Sequence, residues 1–402
     1  MPKVIVGMSG GVDSAVTAYL LKEQGYDVEG LSFILWEARQ RNDFTTCCSS
    51  QAIEDAAGTA SQIGIPHSSV DVKDEFIEKV IEPFIDAYTK GRTPNPCILC
   101  NRYIKFPSLL KEAEKRGAEF IATGHYAKVE RKRGFILRSL VLRSVLRREA
   151  ATENGSAEVR LKKGIDPKKD QSYFLYVLRQ EELNRLLLPL GDYKKEDVRN
   201  LANKLGLPSA KRPESQDICF IGDKNYFKFI NKINPLAVTT GPIMGMNGKV
   251  LGAHKGIYNY TIGQRKGLGI SSPSPLYVSK IDAVKNIVYV GPQESAKIKE
   301  FEVQELNWLI LIHPFSSASG RLRRLAEESG QAHLLIHPSS DSPFRATVKV
   351  RSMMKAEPAT ISASPDSGTV KVIFDEPQWS PAPGQSAVFY DEDIVIGGGI
   401  IS

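Results

Sequence analysis

The chain of 402 residues carries five cysteines in three places: Cys47 beside Cys48, Cys97 and Cys100 in a Cys-x-x-Cys pair, and Cys219 far downstream. An odd number of thiols in a chain of this length argues against a disulfide framework and for thiol chemistry or metal binding. Cys97 and Cys100 lie in Gly91-Arg92-Thr93-Pro94-Asn95-Pro96-Cys97-Ile98-Leu99-Cys100-Asn101. The two prolines stiffen this stretch and restrict the residues before them, so a helix is expected to begin near Asn101. That start would place Cys100 at a helix N-terminus, where a thiol pKa falls and the reactive thiolate is populated. Three chemistries stay open for Cys97, Cys100 and Cys219. In a relay, Cys219 carries a persulfide, Cys100 attacks it and Cys97 assists. Alternatively, all three ligate a 4Fe–4S cluster whose fourth iron holds a sulfur for transfer. A closed zinc site is less well served, because a second Cys-x-x-Cys or a nearby histidine is missing. Cys47 and Cys48 fit buried, inert thiols best.

A second constellation is Ser9-Gly10-Gly11-Val12-Asp13-Ser14, following an apolar run and opening a helical pattern. Adjacent glycines let backbone approach an anion, Ser9 and Ser14 can donate to it, and a helix N-terminus adds unpaired N–H groups and a positive dipole end. This is a phosphate cradle. It differs from a Walker loop, since GxxxxGK[ST] is absent. Asp13 inside an anion site implies Mg2+ bridging it to the phosphates.

The elements that must position these groups follow from periodicity. Strands are expected over 4–8, 28–35, 68–72 and 120–123, and helices over 15–24, 52–62 and 76–88, giving a doubly wound parallel α/β domain. Gly124 then ends a strand where open α/β sheets bind ligands, with His125 following it and Phe33 on the second strand. Residues 128–169 interrupt the rhythm with thirteen Lys and Arg against five Asp and Glu, as expected of an inserted basic hairpin or flap. Helices resume over 181–188, 194–205 and 225–233. Beyond 241, short strand candidates at 249–251, 276–281, 287–290, 344–350, 370–374 and 386–390 suggest a compact barrel or sandwich, with an insertion over 314–342. The domains expected are a catalytic one over 1–221 (basic insertion about 131–160), a central module over 222–285 and a C-terminal β-barrel over 286–402.

A formal charge of +7 and a pI near 8.9 favour a polyanionic partner. No apolar run is long enough for a membrane span and the N-terminus lacks signal-peptide character, so a cytoplasmic, membrane-free protein is expected.

SGGVDS (9–14) resembles the loop of pyrophosphatase-loop enzymes of the adenine nucleotide alpha hydrolase-like class, which split ATP between its α and β phosphates. Further strings, GRTPNPCILCNRYIKF (91–106), ATGHYAKV (122–129), DPKKDQSYFLY (166–176), ESQDICFIG (214–222), YTIGQRKGLGI (260–270) and APGQSAVFY (382–390), resemble one family across nearly the whole chain. That family is the tRNA-specific 2-thiouridylases, which modify the wobble uridine. The resemblance implies ATP with Mg2+ as cofactors and tRNA as partner, with Lys, Glu and Gln acceptors. It also implies a sulfur-donor protein such as a sulfur relay protein or cysteine desulfurase. It assigns ATP contact to Gly7, Met8, Ser9, Gly10, Gly11, Val12, Asp13, Ser14, Phe33 and Gly124, the nucleophile to Cys100 and the persulfide carrier to Cys219. Asn95, Pro96 and Cys97 match the loop that meets the target base. His125, Lys169, Asp170, Gln171, Arg351, Ser352 and Gln385 match tRNA-contacting positions. Two places depart from the family pattern: Cys97 stands where many members carry Asp, and Ser352 with Met353-Met354 replaces aromatic and basic residues.

Overall fold

The computed structural model describes residues 1–36, 50–132, 158–211, 218–221, 226–234, 239–310, 343–364 and 368–402. Cys47, Cys48, the centre of the basic insertion and the expected insertion over 314–342 lie outside the described residues.

Five parallel strands form the catalytic sheet: β1 (Lys3–Gly7), β2 (Asp27–Ile34), β3 (His67–Asp71), β4 (Phe120–Ala122) and, added at one edge, Leu186–Leu187. Their order, β3-β2-β1-β4 and then the Leu186 strand, puts a topological switch between β1 and β4. The chain leaves β1 toward one side and returns beyond it on the other, so a crevice opens at the carboxyl ends of these two strands, where open α/β sheets bind ligands. β1 is buried through Val4, Ile5 and Val6 because helices cover both faces of a parallel sheet. The phosphate helix, Val12–Glu23, follows the loop after β1, and Ser50–Ile63 follows β2. The helical run expected over 76–88 covers 73–89, with a wider π turn at Ile77–Ile81.

Three expectations are corrected here. The helix expected near Asn101 begins at Pro96 and runs as Pro96–Cys100 before a π turn over Asn101–Lys105 and the helix Phe106–Lys115. Asn95 is its N-cap, with Oδ1 accepting the Cys97 N–H at 3.2 Å, and Pro96 takes the first helical position. This is the arrangement both residue types favour. The N-terminal position therefore belongs to Cys97, and Cys100 sits a turn further in. The helix expected over 181–188 stops at Arg185, because Leu186 turns into the core and Leu186–Leu187 extends the sheet beside β4. A domain boundary after residue 285 would separate a pair of hydrogen-bonded strands, because the central sheet runs on to Gly291.

The basic insertion starts from a hairpin, in which β5 (Ala127–Lys132) and β6 (Glu158–Lys163) pair antiparallel. The Leu186 strand is β7. The central module then holds β8 (Gly241–Gly245), β9 (Val250–His254), β10 (Tyr277–Asp282) and β11 (Ile287–Gly291), in the order β10-β11-β8-β9. The turn at 283–286 joins β10 to β11 inside this sheet.

The C-terminal strands are β12 (Lys297–Trp308), β13 (Phe344–Lys349), β14 (Glu357–Ala363), β15 (Val370–Trp379), β16 (Ser386–Asp391) and β17 (Ile394–Ile401). They pair in the order β12-β15-β14-β13-β16-β17, and β12 pairs again with β17, closing a six-stranded barrel around Val348, Ile361, Val372, Phe374 and Phe389. β17 also pairs with β6, so the basic hairpin of the catalytic domain is sheet-continuous with the barrel. Strands β8, β12, β14 and β17 have no counterpart among the sequence expectations. β17 is hidden by Gly397, Gly398 and Gly399, a composition that suggests a turn. A side chain at Gly398 would meet the Ala387 carbonyl at 2.6 Å and the Tyr176 ring at 2.8 Å, so close approach selects glycine in a strand.

Candidate active site

The loop between β1 and the phosphate helix is organised by its own hydroxyls. Ser14 Oγ donates to the Gly11 carbonyl at 3.0 Å and accepts from the Ser9 N–H at 3.2 Å. Gly10 takes a φ of +74°, which a glycine adopts without strain, and Gly11 caps the helix with no side chain of its own over the helix end. The first N–H groups and the positive dipole end therefore face the crevice. Gly7 and Met8 contribute backbone: Met8 is buried in the core, its N–H donating to Leu31 and its carbonyl accepting from Ser32 Oγ.

Gly124 reaches this loop from β4. A Cβ there would lie 2.7 Å from the Asp13 carbonyl carbon and 2.8 Å from the Ser14 nitrogen, so the second crevice wall touches the loop itself, at the turn into the phosphate helix. His125 stacks on Phe106 and its Nδ1 lies 2.8 Å from Thr123 Oγ1. Desolvation, and to a lesser degree the Lys105 charge, hold its pKa well below the usual value, so the imidazole is neutral at physiological pH.

Asp13 is more engaged than the sequence indicates. Tyr126 Oη donates to its Oδ1 at 2.7 Å, and Lys195 Nζ lies 2.7 Å from each carboxylate oxygen. An ammonium thus stands where a divalent cation would meet this carboxylate, and the loop's chemistry fits Mg2+. Neither Lys195 nor Tyr126 is among the expected site residues; Lys195 comes from a helix 182 positions downstream.

The thiol end packs in a cluster that takes in Leu35, just beyond β2, and Val72, just beyond β3. Cys100 is buried and Cys219 half-buried in one apolar cluster with Phe76, Phe84, Ile104 and Phe220, whereas Cys97 is exposed. Phe220 anchors its neighbour Cys219, making edge contacts with Phe76 and Phe84 at 5.7 and 5.4 Å; burying such a ring is worth about 2–3 kcal/mol. Phe33 of β2 packs both against this cluster and against the core cluster that holds Ile5, Leu31 and Phe106. Among the described residues no group of three or more His, Cys, Asp or Glu is arranged to hold a metal ion. Cys97, Cys100 and Cys219 as placed do not form such a group.

The approach to the thiols is held from far along the chain. Thr93 N donates to the Pro383 carbonyl at 2.8 Å, and Gln385 Nε2 donates to the Thr93 carbonyl at 2.9 Å. Gly91 (φ +70°) lies against Ile281 of the central module, and Gly384 (φ +89°) against Thr93. Arg351 Nη2 donates to the carbonyls of Ile262 and Ser380, each at 3.0 Å, tying barrel to central module. Ser352 lies half-buried in the turn after β13, beside the exposed Met353. The Asp170 side chain, 6% exposed, accepts from the Gly164 and Ser172 N–H groups and faces Lys349 of β13 at 3.8 Å. Gln171 Oε1 accepts from the Tyr126 N–H at 2.9 Å, and the Lys169 N–H donates to the Asp166 carbonyl at 3.1 Å. Arg351, Asp170, Gln171 and Gln385 thus commit side-chain hydrogen bonds to joints within the molecule.

Comparison with known proteins decides the family. A model described as the tRNA methyl transferase HUP domain matches residues 2–223, one described as the tRNA methyl transferase PRC-barrel domain matches 228–292, and one described as the aminomethyltransferase beta-barrel domain matches 329–401. A protein named tRNA-specific 2-thiouridylase MnmA 1, from Caldanaerobacter subterraneus subsp. tengcongensis, is 45% identical over 402 residues, spanning 99% of this chain and 97% of that one. The chain belongs to the tRNA-specific 2-thiouridylase family. Relatives of the same name from Clostridium acetobutylicum (43% identical, 99% of each chain) and Clostridioides difficile (40%, 99% of this chain and 98% of that one) match equally fully. The family models carry methyl transferase descriptions; the full-length relatives carry the thiouridylase name, and membership rests on them. Among the described residues, no helix of this thiouridylase-family chain is long and apolar enough to cross a membrane.

Proposed function

We propose that this protein is a sulfurtransferase that exchanges the 2-oxygen of the tRNA wobble uridine for sulfur, consuming ATP. The observation that supports this reading best is the pairing of two sites on one sheet: a phosphate loop at the switch point, and Cys100 with Cys219 in one cluster behind Phe33. Gly10, Gly11, Ser9 and Ser14 would hold the phosphates, with Gly7, Met8, Val12 and Gly124 shaping the cradle and Phe33 flanking the base. Mg2+ at Asp13 would offset phosphate charge. Uridine O2 attacks the α-phosphorus and pyrophosphate departs, which makes the oxygen a leaving group. Cys219 bears a persulfide received from a sulfur-donor protein. The Cys100 thiolate attacks the inner sulfur, a Cys100–Cys219 disulfide forms, and the released sulfide adds to C2 as AMP leaves with the oxygen. A dithiol reductant reopens the disulfide. The exposed Cys97, with Asn95 and Pro96, would border the extruded base, and Lys169, Asp170, Gln171, His125, Arg351, Ser352 and Gln385 the RNA, with Lys, Glu and Gln acceptors as substrates. The cytosol is the compartment where unmodified tRNA is met.

The test is incubation with Mg2+, ATP, a persulfide source and unmodified tRNA. The expected products are 2-thiouridine, AMP and pyrophosphate in equal amounts. Pyrophosphate formation without thiolation by Cys100→Ser and Cys219→Ser is expected as well, whereas thiolation surviving both substitutions would refute the relay.

A further inference from the structure

The phosphate loop presents an electrostatic deficit. Residues 7–14 contain no lysine or arginine. The nearest cations in its own strand and helix are used elsewhere: Lys3 pairs with Glu29, and Lys22 donates to the carbonyls of Ile63 and Gly64 at the far end of the phosphate helix. A triphosphate on this loop would meet backbone N–H groups and a helix dipole, whose combined effect is that of a partial charge.

We propose that Lys195 is the cation with which this loop grips the terminal phosphates of ATP and the pyrophosphate leaving it, aimed there by Asp13. The proposal rests on the nucleotide reading above and adds a residue to it. Asp13 is the second residue of the phosphate helix, so an ammonium 2.7 Å from both its oxygens lies at the mouth of the helix N-terminus. The side chain is 12% exposed and its Nζ lies 5.6 Å from the centre of the Tyr126 ring. Its backbone is fixed as well. The Lys195 N–H donates to Asp166 Oδ2 at 3.0 Å, and its helix, Lys195–Lys204, packs through Val198 and Ala202 on Val12, Ala15 and Val16. A long side chain already held in place loses little rotamer freedom when phosphate arrives, so more of its attraction appears as affinity. A helix remote in sequence thereby supplies the charge that a Walker loop carries within itself.

The test is calorimetric binding of inorganic pyrophosphate, and separately of α,β-methylene ATP, each with Mg2+, to the full chain. Lys195→Met should weaken pyrophosphate binding by about tenfold or more, as expected for losing a hydrogen bond to a charged group. Lys195→Arg, which keeps the charge, should lose less, and Lys194→Met, at the exposed neighbour, should bind as the unaltered protein does. Equal binding by Lys195→Met and unaltered protein overturns the role of the lysine while leaving the nucleotide reading intact; binding of neither ligand by the unaltered protein overturns both. Should Lys195→Met not fold, the unaltered protein can be treated with adenosine triphosphopyridoxal, whose aldehyde forms an imine with a lysine at the terminal phosphates and is fixed by borohydride. Modification of Lys195, blocked by excess ATP with Mg2+, is expected; modification of other lysines with Lys195 untouched overturns the proposal.

Discussion

The two halves of the site are built on different principles. The phosphate loop is a local object: Ser9, Gly11 and Ser14 bond to one another, and a buried strand and its helix fix both ends. The thiol end is assembled from distant pieces, with Cys219 brought by Phe220 into the cluster that holds Cys100. The loop before Pro96 is gripped by Pro383 and Gln385 of the barrel and by Ile281 of the central module. A local device tolerates change elsewhere. The assembled one makes sulfur chemistry depend on how barrel and central module sit.

Separating the halves should be easiest at the sulfurs. Cys219→Ser is expected to lower thiolation by about a thousandfold or more, as for loss of a covalent participant. Pyrophosphate formation in a single turnover with tRNA should stay within a few-fold of the unaltered protein; parallel loss of both would mean the halves are one unit. The converse is Gly124→Val, which drives a side chain into the Asp13–Ser14 backbone. Overpacking of this kind costs about 1–3 kcal/mol. It should raise the KM for ATP about tenfold or more while leaving alkylation of Cys97 unchanged. A smaller effect is expected from Gln385→Ala, which removes the bond to the Thr93 carbonyl. Thiolation should fall several-fold and stability by about 1 kcal/mol, with ATP affinity unaltered. Equal loss of ATP affinity would show that the barrel grips the nucleotide end too.

The smallest expected effect concerns pH. His125 has a folded-state pKa below its unfolded value of about 6.5, so the unfolded chain binds the proton first. Stability is therefore full above about pH 6.5 and declines as pH falls below it, by up to about 1.4 kcal/mol per pH unit. His67, whose pKa is also lowered by burial, contributes with the same sign. Urea unfolding at several pH values should show the slope, and His125→Asn should reduce it without abolishing it.

The same contrast governs what can be read from sequence. SGGVDS after an apolar run announces a phosphate cradle because the bonds among Ser9, Gly11 and Ser14 lie within six residues, and Gly124 can be placed because strand ends converge by rule. The start of the cysteine helix is legible in principle, since Asn95-Pro96 is a cap followed by a first-turn proline. Weighed only as stiffeners, the prolines move that start to Asn101 and credit Cys100 with the dipole that belongs to Cys97. The Lys195–Asp13 contact and the Gln385–Thr93 bond join residues 182 and 292 positions apart, and no local pattern records such pairs. The glycine strand β17 is hidden for a related reason: Gly397, Gly398 and Gly399 are dictated by neighbours from β12, β16 and Tyr176.

The central claim is that Cys100 and Cys219 act together on one uridine bound at the nucleotide crevice. A single turnover with persulfide-loaded protein, ATP, Mg2+ and unmodified tRNA, quenched with an alkylating agent and digested for mass spectrometry, tests it most directly. A disulfide-linked pair of peptides containing Cys100 and Cys219 should appear one for one with 2-thiouridine. Product formed while both cysteines remain open to alkylation, or a disulfide joining Cys97 to Cys100 instead, would contradict it.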